Sequence, residues 1–117
     1  MCQLLVGADK SQNIAGMLKS VRDAANGGAE LVVLPEIWSA PYSNDSFPPY
    51  SEPIPFDGSK ATGEISEKEH PCSHALSSIA KELKIWLIGG SFPEKDGDKL
   101  FNTCLVVNPD GGFVAKH

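Results

Sequence analysis

The chain has 117 residues, and none of its apolar runs approaches the roughly 20 residues that a bilayer crossing requires. Its amino terminus lacks a basic segment followed by an apolar signal core. These absences argue against a membrane span, and the protein is expected in the cytoplasm. Basic residues are also few: 10 Lys and Arg stand against 15 Asp and Glu, for a formal charge of -5. They are scattered, so no basic stripe is offered to DNA or RNA. Cysteine is scarce as well. Cys2, Cys72 and Cys104 are odd in number and far apart, which disfavours both a disulfide framework and the close pairs of a zinc site. Reduced thiols are the simpler expectation. His70 and His74 are four residues apart and could share a helix face, but no third ligand is near, so exposed polarity without a metal is expected. Gly89-Gly90 follows an apolar run, yet no Gly-x-Gly-x-x-Gly pattern or phosphate-loop lysine accompanies it, leaving nucleotide binding without support. No internal repeat is present. Asn44-Asp45-Ser46 spells a glycosylation acceptor, which has no use without a secretory route.

What remains is an ordinary globular balance, 41% hydrophobic and 21% charged, sized for one domain. The most informative stretch is Leu31-Val32-Val33-Leu34-Pro35-Glu36. Its unbroken apolar run reads as a strand covered on both faces, and Pro35 cannot donate to a following ladder. Glu36 therefore sits at a strand's carboxyl end. Ligand crevices form along that edge of open α/β sheets, so a carboxylate fixed there is a candidate acid or base. A solvated loop glutamate is the alternative.

Residues 3 to 8 are short and mostly apolar and read as a first strand. Asp9 or Ser11 can then cap a helix whose Ile14, Leu18, Val21 and Ala25 recur at helical spacing until Gly27-Gly28. With the strand at 30 to 34 this makes a βαβ start, with a right-handed crossover between parallel neighbours. Residues 37 to 71 carry Pro41, Pro48, Pro49, Pro53 and Pro55 and predict a long irregular excursion. Its aromatic first part, 37 to 55, is expected to pack, and its polar part, 56 to 70, is not. A helix from Pro71 to Lys84 follows, with Leu76, Ile79, Ala80 and Leu83 on one face, then a buried strand at Ile85 to Gly89. Turns at Asp96-Gly97-Asp98 and Asn108-Pro109-Asp110-Gly111-Gly112 organise the remainder as an antiparallel meander.

Two further features bear on chemistry. Cys104 lies mid-strand, where a thiol behaves as a small buried hydrophobe, and nothing around it suggests the base and lowered pKa that a nucleophile needs. Trp38, Tyr42, Phe47 and Tyr50 fall just beyond Glu36. They either wall a small pocket or simply anchor a loop, and the two readings are compatible.

Leu31 to Glu36, Trp38-Ser39-Ala40-Pro41-Tyr42, Ile88-Gly89-Gly90-Ser91, Phe101-Asn102-Thr103 and Asn108-Pro109-Asp110-Gly111 together closely resemble the nitrilase superfamily, nearest its omega-amidase branch. The resemblance spans nearly the whole chain except 56 to 70, which looks like an insertion into a partial carbon-nitrogen hydrolase domain over 1 to 117. It implies an α/β fold, the amino-terminal part of an α-β-β-α sandwich with a mixed sheet. It also implies a Glu-Lys-Cys triad hydrolysing omega-amides of 2-oxo acids, alpha-ketoglutaramate and alpha-ketosuccinamate, without metal or organic cofactor. Glu36 falls on the general base, and Tyr42 is a candidate pocket wall. A small-molecule amide is the implied partner, and the complete enzyme is expected to be a homo-oligomer, a dimer. The family's lysine lies shortly after the motif seen here as Ala115-Lys116-His117, and Lys116 matches the position before it. The family's cysteine lies further on, and Cys104 matches a structural position. Family members also carry residues before Cys2-Gln3-Leu4, so a clipped first strand is expected. A half-sandwich would leave a sheet edge and an apolar face unpaired. The alternative reading is thus a truncated, catalytically silent chain that acts by association with other subunits.

Overall fold

In the computed structural model, which describes residues 1–117, Asp9 opens the first helix. Its carboxylate accepts the backbone N–H groups of Ser11 and Gln12 at 2.9 and 3.1 Å, and α1 runs Lys10–Asn26. Asn13, Met17 and Val21 are the buried residues of α1, while Ile14, Leu18 and Ala25 pack at the margin of the core. The inward stripe is thus rotated from the expected one. Asn13 goes inside because its amide serves the backbone, donating to the carbonyls of Gly7 and Ser39 and accepting from the Gly7 N–H.

Strand β1 (Leu31–Val33) comes next, then a long connection with a 3-10 turn at Asn44–Ser46 and the single-turn helix α2 (Phe47–Tyr50). Helix α3 (Pro71–Leu83) and strands β2 (Trp86–Asp96), β3 (Lys99–Val107) and β4 (Phe113–Lys116) complete the order. The strands form one mixed sheet in the order β1-β2-β3-β4, with β1 parallel to β2 and the other neighbours antiparallel. Met17 and Val21 of α1 join Leu76 and Ile79 of α3 in one core with Val32, Leu87, Leu105 and Val107 of the sheet. This is one helical layer on one mixed sheet, as the expected half of a sandwich requires.

No strand forms over residues 3 to 8. The one backbone bond to β1 in this region comes from the residue just before it, the Cys2 N–H donating to the Val33 carbonyl at 2.9 Å. The parallel neighbour of β1 is β2, reached through α3 rather than α1. Nor is β1 covered on both faces. Val32 is buried among the helices, but Leu31 is 55% exposed and Trp86, its partner in β2, is 45% exposed. The helices cover one face only, and the apolar side chains on the other meet solvent.

The polar segment 56 to 70 is tied down at both ends, contrary to expectation. Phe56 is buried and meets Phe113 edge-on, with ring centroids 6.0 Å apart. His70 is buried too, and its Nδ1 accepts the Ser66 N–H at 3.1 Å. It precedes α3 as a cap residue and makes no exposed pair with His74. No group of three or more His, Cys, Asp or Glu side chains is arranged to hold an ion.

One irregularity of the sheet positions the Glu36 region. Ile88 pairs with Val106 and Ser91 with Cys104, so β2 advances three residues where β3 advances two, a bulge at Gly89-Gly90. Gly90 has φ +59, and a Cβ there would stand 2.1 Å from the Pro35 carbonyl oxygen. Glycine is needed because the end of β1 passes directly over the bulge.

Candidate active site

The bulge gives the chain leaving β1 a set of partners on β2. The Ser91 N–H donates to the Pro35 carbonyl at 3.2 Å, the Ser91 hydroxyl accepts the Ile37 N–H at 3.1 Å, and the Ser91 carbonyl accepts the Trp38 N–H at 3.3 Å. The Trp38 indole donates to the Gly89 carbonyl at 2.8 Å. These bonds hold Ile37 at φ +49, a left-handed conformation that costs a β-branched residue on the order of 1–3 kcal/mol. The sharp turn buries Ile37 and Trp38 and leaves the Glu36 side chain outside.

Both Glu36 oxygens have donors. Oε1 accepts the Asn102 side-chain amide at 2.9 Å, and Oε2 accepts the Tyr42 hydroxyl at 3.3 Å. Asn102 belongs to the alternate set of β3 with Cys104 and Val106, opposite the buried Thr103, Leu105 and Val107. Glu36 therefore stands on the sheet face that the helices leave open. A cleft of about 460 Å3 lies around it, walled by Tyr42, Ser43, Asn44 and Phe47 with Ile37 and Asn102. Each oxygen that holds one donor keeps lone-pair capacity, so the carboxylate is oriented and still able to receive a proton.

The aromatic set divides. Tyr42 and Phe47 line the cleft. Trp38 is fully buried and packs edge-on against Phe92, with centroids 6.1 Å apart, so it is core rather than wall. Tyr50 turns away and donates to the Ala8 carbonyl.

None of the cysteines lines the cleft. Burial pushes the Cys104 thiol up, and its sulfur meets only the Leu105 carbonyl at 3.8 Å. Cys72 is fully buried at the start of α3, and burial followed by the neighbouring Glu52 carboxylate pushes its thiol further up. Because the thiolate is the reactive form, iodoacetamide under native conditions should leave Cys72 untouched. Mass spectrometry of the labelled chain checks this, and rapid native labelling of Cys72 would contradict its burial.

Asn102 and Ser91 lie within motifs the sequence displays, but their parts in the site do not show there. The one available signal is that asparagine is depleted in strands, so Asn102 between Phe101 and Thr103 calls for a reason.

Fold and cleft together define an α/β protein that presents an oriented carboxylate at a sheet edge. Residues 1–117 match the carbon-nitrogen hydrolase family from end to end, and the chain belongs to that family. Over its full length it is 50% identical to the chloroplastic omega-amidase of Arabidopsis thaliana and 43% identical to the omega-amidase NIT2 of Homo sapiens, spanning 29% and 37% of those proteins. Saccharomyces cerevisiae Nit3, of branch 10 of the nitrilase superfamily, superposes with a TM-score of 0.80 at 34% identity, over 96% of this chain and 39% of its own. The chain thus spans only about a third of the length of these relatives, and its architecture is part of a nitrilase-type fold. No helix is long and apolar enough to cross a membrane.

Proposed function

We propose that Glu36 is the general base of an omega-amidase reaction in the complete enzyme, with the open-chain omega-amides alpha-ketoglutaramate and alpha-ketosuccinamate as substrates. Glu36 takes the proton of a cysteine thiol, and the sulfur attacks the amide carbon. A lysine stabilises the resulting oxyanion, Glu36 returns its proton to the amide nitrogen so that the C–N bond breaks and ammonia leaves, and water deprotonated by Glu36 then resolves the thioester, the cysteine sulfur recovering its proton and the 2-oxo acid departing. The observation that carries this reading is the Glu36 carboxylate held between Asn102 and Tyr42 at the cleft. Tyr42 acts as a wall for the substrate. We read 56 to 70 as an insertion of the family domain, and place the enzyme in the cytoplasm as a homodimer.

The register of β4 supports the same reading. His117 and Cys104 exchange backbone bonds in both directions at 2.8 and 3.0 Å, and two residues further along β3 comes Asn102. A ladder prolonged by two residues sets a side chain opposite Asn102, on the face that carries Glu36. That position suits the family's lysine. Lys116 itself points to the other face, where it pairs with Glu94 at 2.9 Å.

A cleft without a cysteine also favours a second reading for these 117 residues taken alone, a silent chain acting by association. Ammonia release from alpha-ketoglutaramate tests both. The complete enzyme should turn over and the 117-residue chain should not; turnover by the short chain would overturn both the nucleophile assignment and the silent reading. In the complete enzyme Asn102→Ala should lower kcat/KM by about 10–100-fold, the worth of a hydrogen bond to a charged group. Steady-state kinetics on the folded variant would sink that role if kcat/KM stayed unchanged.

A further inference from the structure

Away from the cleft the chain buries the Glu52 carboxylate, which the amidase chemistry does not use. Glu52 is 2% exposed, and an ionised carboxylate removed from water is strongly unfavourable unless its oxygens are met. Here Oε1 accepts the Ser73 N–H and the Ser73 hydroxyl, each at 2.9 Å, and Oε2 accepts the Cys72 N–H at 2.9 Å and Lys10 Nζ at 3.1 Å. The two backbone donors are free N–H groups in the first turn of α3, whose dipole favours an anion. Lys10, the first residue of α1, also donates to the Tyr50 carbonyl at 2.7 Å. The Glu52 backbone is fastened to β2, its N–H to the Pro93 carbonyl at 3.2 Å and its carbonyl to the Lys95 N–H at 2.9 Å. Both long helices and the sheet therefore meet at one point of the long connection.

That point is the far end of the segment that walls the cleft. Its near end is fastened at Ile37 and Trp38 by Ser91 and Gly89. Between the two attachments, Tyr42, Ser43, Asn44 and Phe47 face the cleft with only the 3-10 turn and α2 as regular structure. A span fixed at both ends keeps its shape, whereas one released at an end gains conformational freedom that substrate binding must then remove.

We propose that Glu52, together with Lys10, is a positioning residue for the substrate cleft: it sets where Tyr42 and Phe47 stand over Glu36, and so governs affinity for the amide rather than the rate of bond breaking. This rests on the reading of Glu36 as the base of an amide hydrolase. Glu52→Gln keeps the side chain's size but turns an NH2 group toward donors. Lys10→Met is the gentler variant, because it leaves Glu52 its three bonds to α3.

In the complete enzyme each variant should raise KM for alpha-ketoglutaramate by about tenfold with kcat within about twofold, and Lys10→Arg should return KM close to the parent's. Limited chymotrypsin digestion should cut after Tyr42 faster in both variants than in the parent. Folded variants with the parent's KM, or a fall in kcat at constant KM, would overturn the proposal and leave Glu52 a stabilising residue only. If the unaltered complete enzyme releases no ammonia from either omega-amide, the substrate reading fails by itself. The digestion then still decides whether Glu52 fixes the loop, and unchanged cutting would overturn it.

Discussion

Glu36→Gln in the complete enzyme is expected to suppress thioester formation by about 100–10,000-fold, the contribution of a positioned general base, while the fold survives. The substitution keeps the shape of the side chain. An amide oxygen can still accept from Asn102, and the Tyr42 hydroxyl can turn to accept from an amide N–H, so the cleft need not rearrange. Glu36 is exposed, and stability should change by no more than about 0.5 kcal/mol. On the proposed role of Glu36, what disappears is a site able to take the thiol proton. Because the members of such a triad act as a unit, lysine and cysteine left in place recover little of the lost rate. Single-turnover mass spectrometry of the acylated enzyme reads this directly. Acylation within about tenfold of the parent's rate would remove Glu36 from the base role.

Gly90→Ala is expected to destabilise the chain by more than about 3 kcal/mol, while Gly97→Ala costs only about 1 kcal/mol. The two glycines have nearly the same backbone, φ +59 and +58, so the left-handed conformation penalises alanine alike at both. Their surroundings differ. A methyl group on Gly97 would have no neighbour within 4 Å, whereas on Gly90 it would meet the Pro35 oxygen at 2.1 Å and Leu34 Cβ at 2.9 Å. Relief requires the end of β1 to lift off the bulge. That would break the bonds that Ser91 donates to Pro35 and accepts from Ile37 and Trp38, so Glu36 would lose its placement along with the stability. Urea denaturation of the two variants side by side makes the comparison, and equal costs would show that β1 does not pass over Gly90.

Much of this arrangement is legible from short-range pattern. Pro71 at the first position of α3, Asp9 as the cap of α1, the turns at Gly97 and Gly111 and the apolar run into Pro35-Glu36 each depend on neighbours a few residues away. The motifs around Glu36, Gly89-Gly90 and Asn102 likewise identify the family from the chain itself. Periodicity misled where a polar residue is needed inside, and Asn13 displaces the expected stripe of α1 because two carbonyls require its amide. Residues 3 to 8 misled in another way, since a short apolar run looks like a strand whether or not an edge pairs with it.

The sequence by itself determined most of the elements, the family and the single carboxylate at the strand's end, because caps, turns and hydrophobic period are local and a motif is read in order. The tertiary structure alone decided what surrounds that carboxylate. Asn102 reaches Glu36 across 66 positions of chain only because the bulge at Gly89-Gly90 sets the register of β2 on β3. The same long-range packing sent Trp38 into the core and Tyr42 to the cleft, and closed Glu52 over the first turn of α3. Composition and spacing treat those residues as equivalents. Which of them is buried, and which donor meets which oxygen, follows from how distant segments satisfy one another's polar groups once water is excluded.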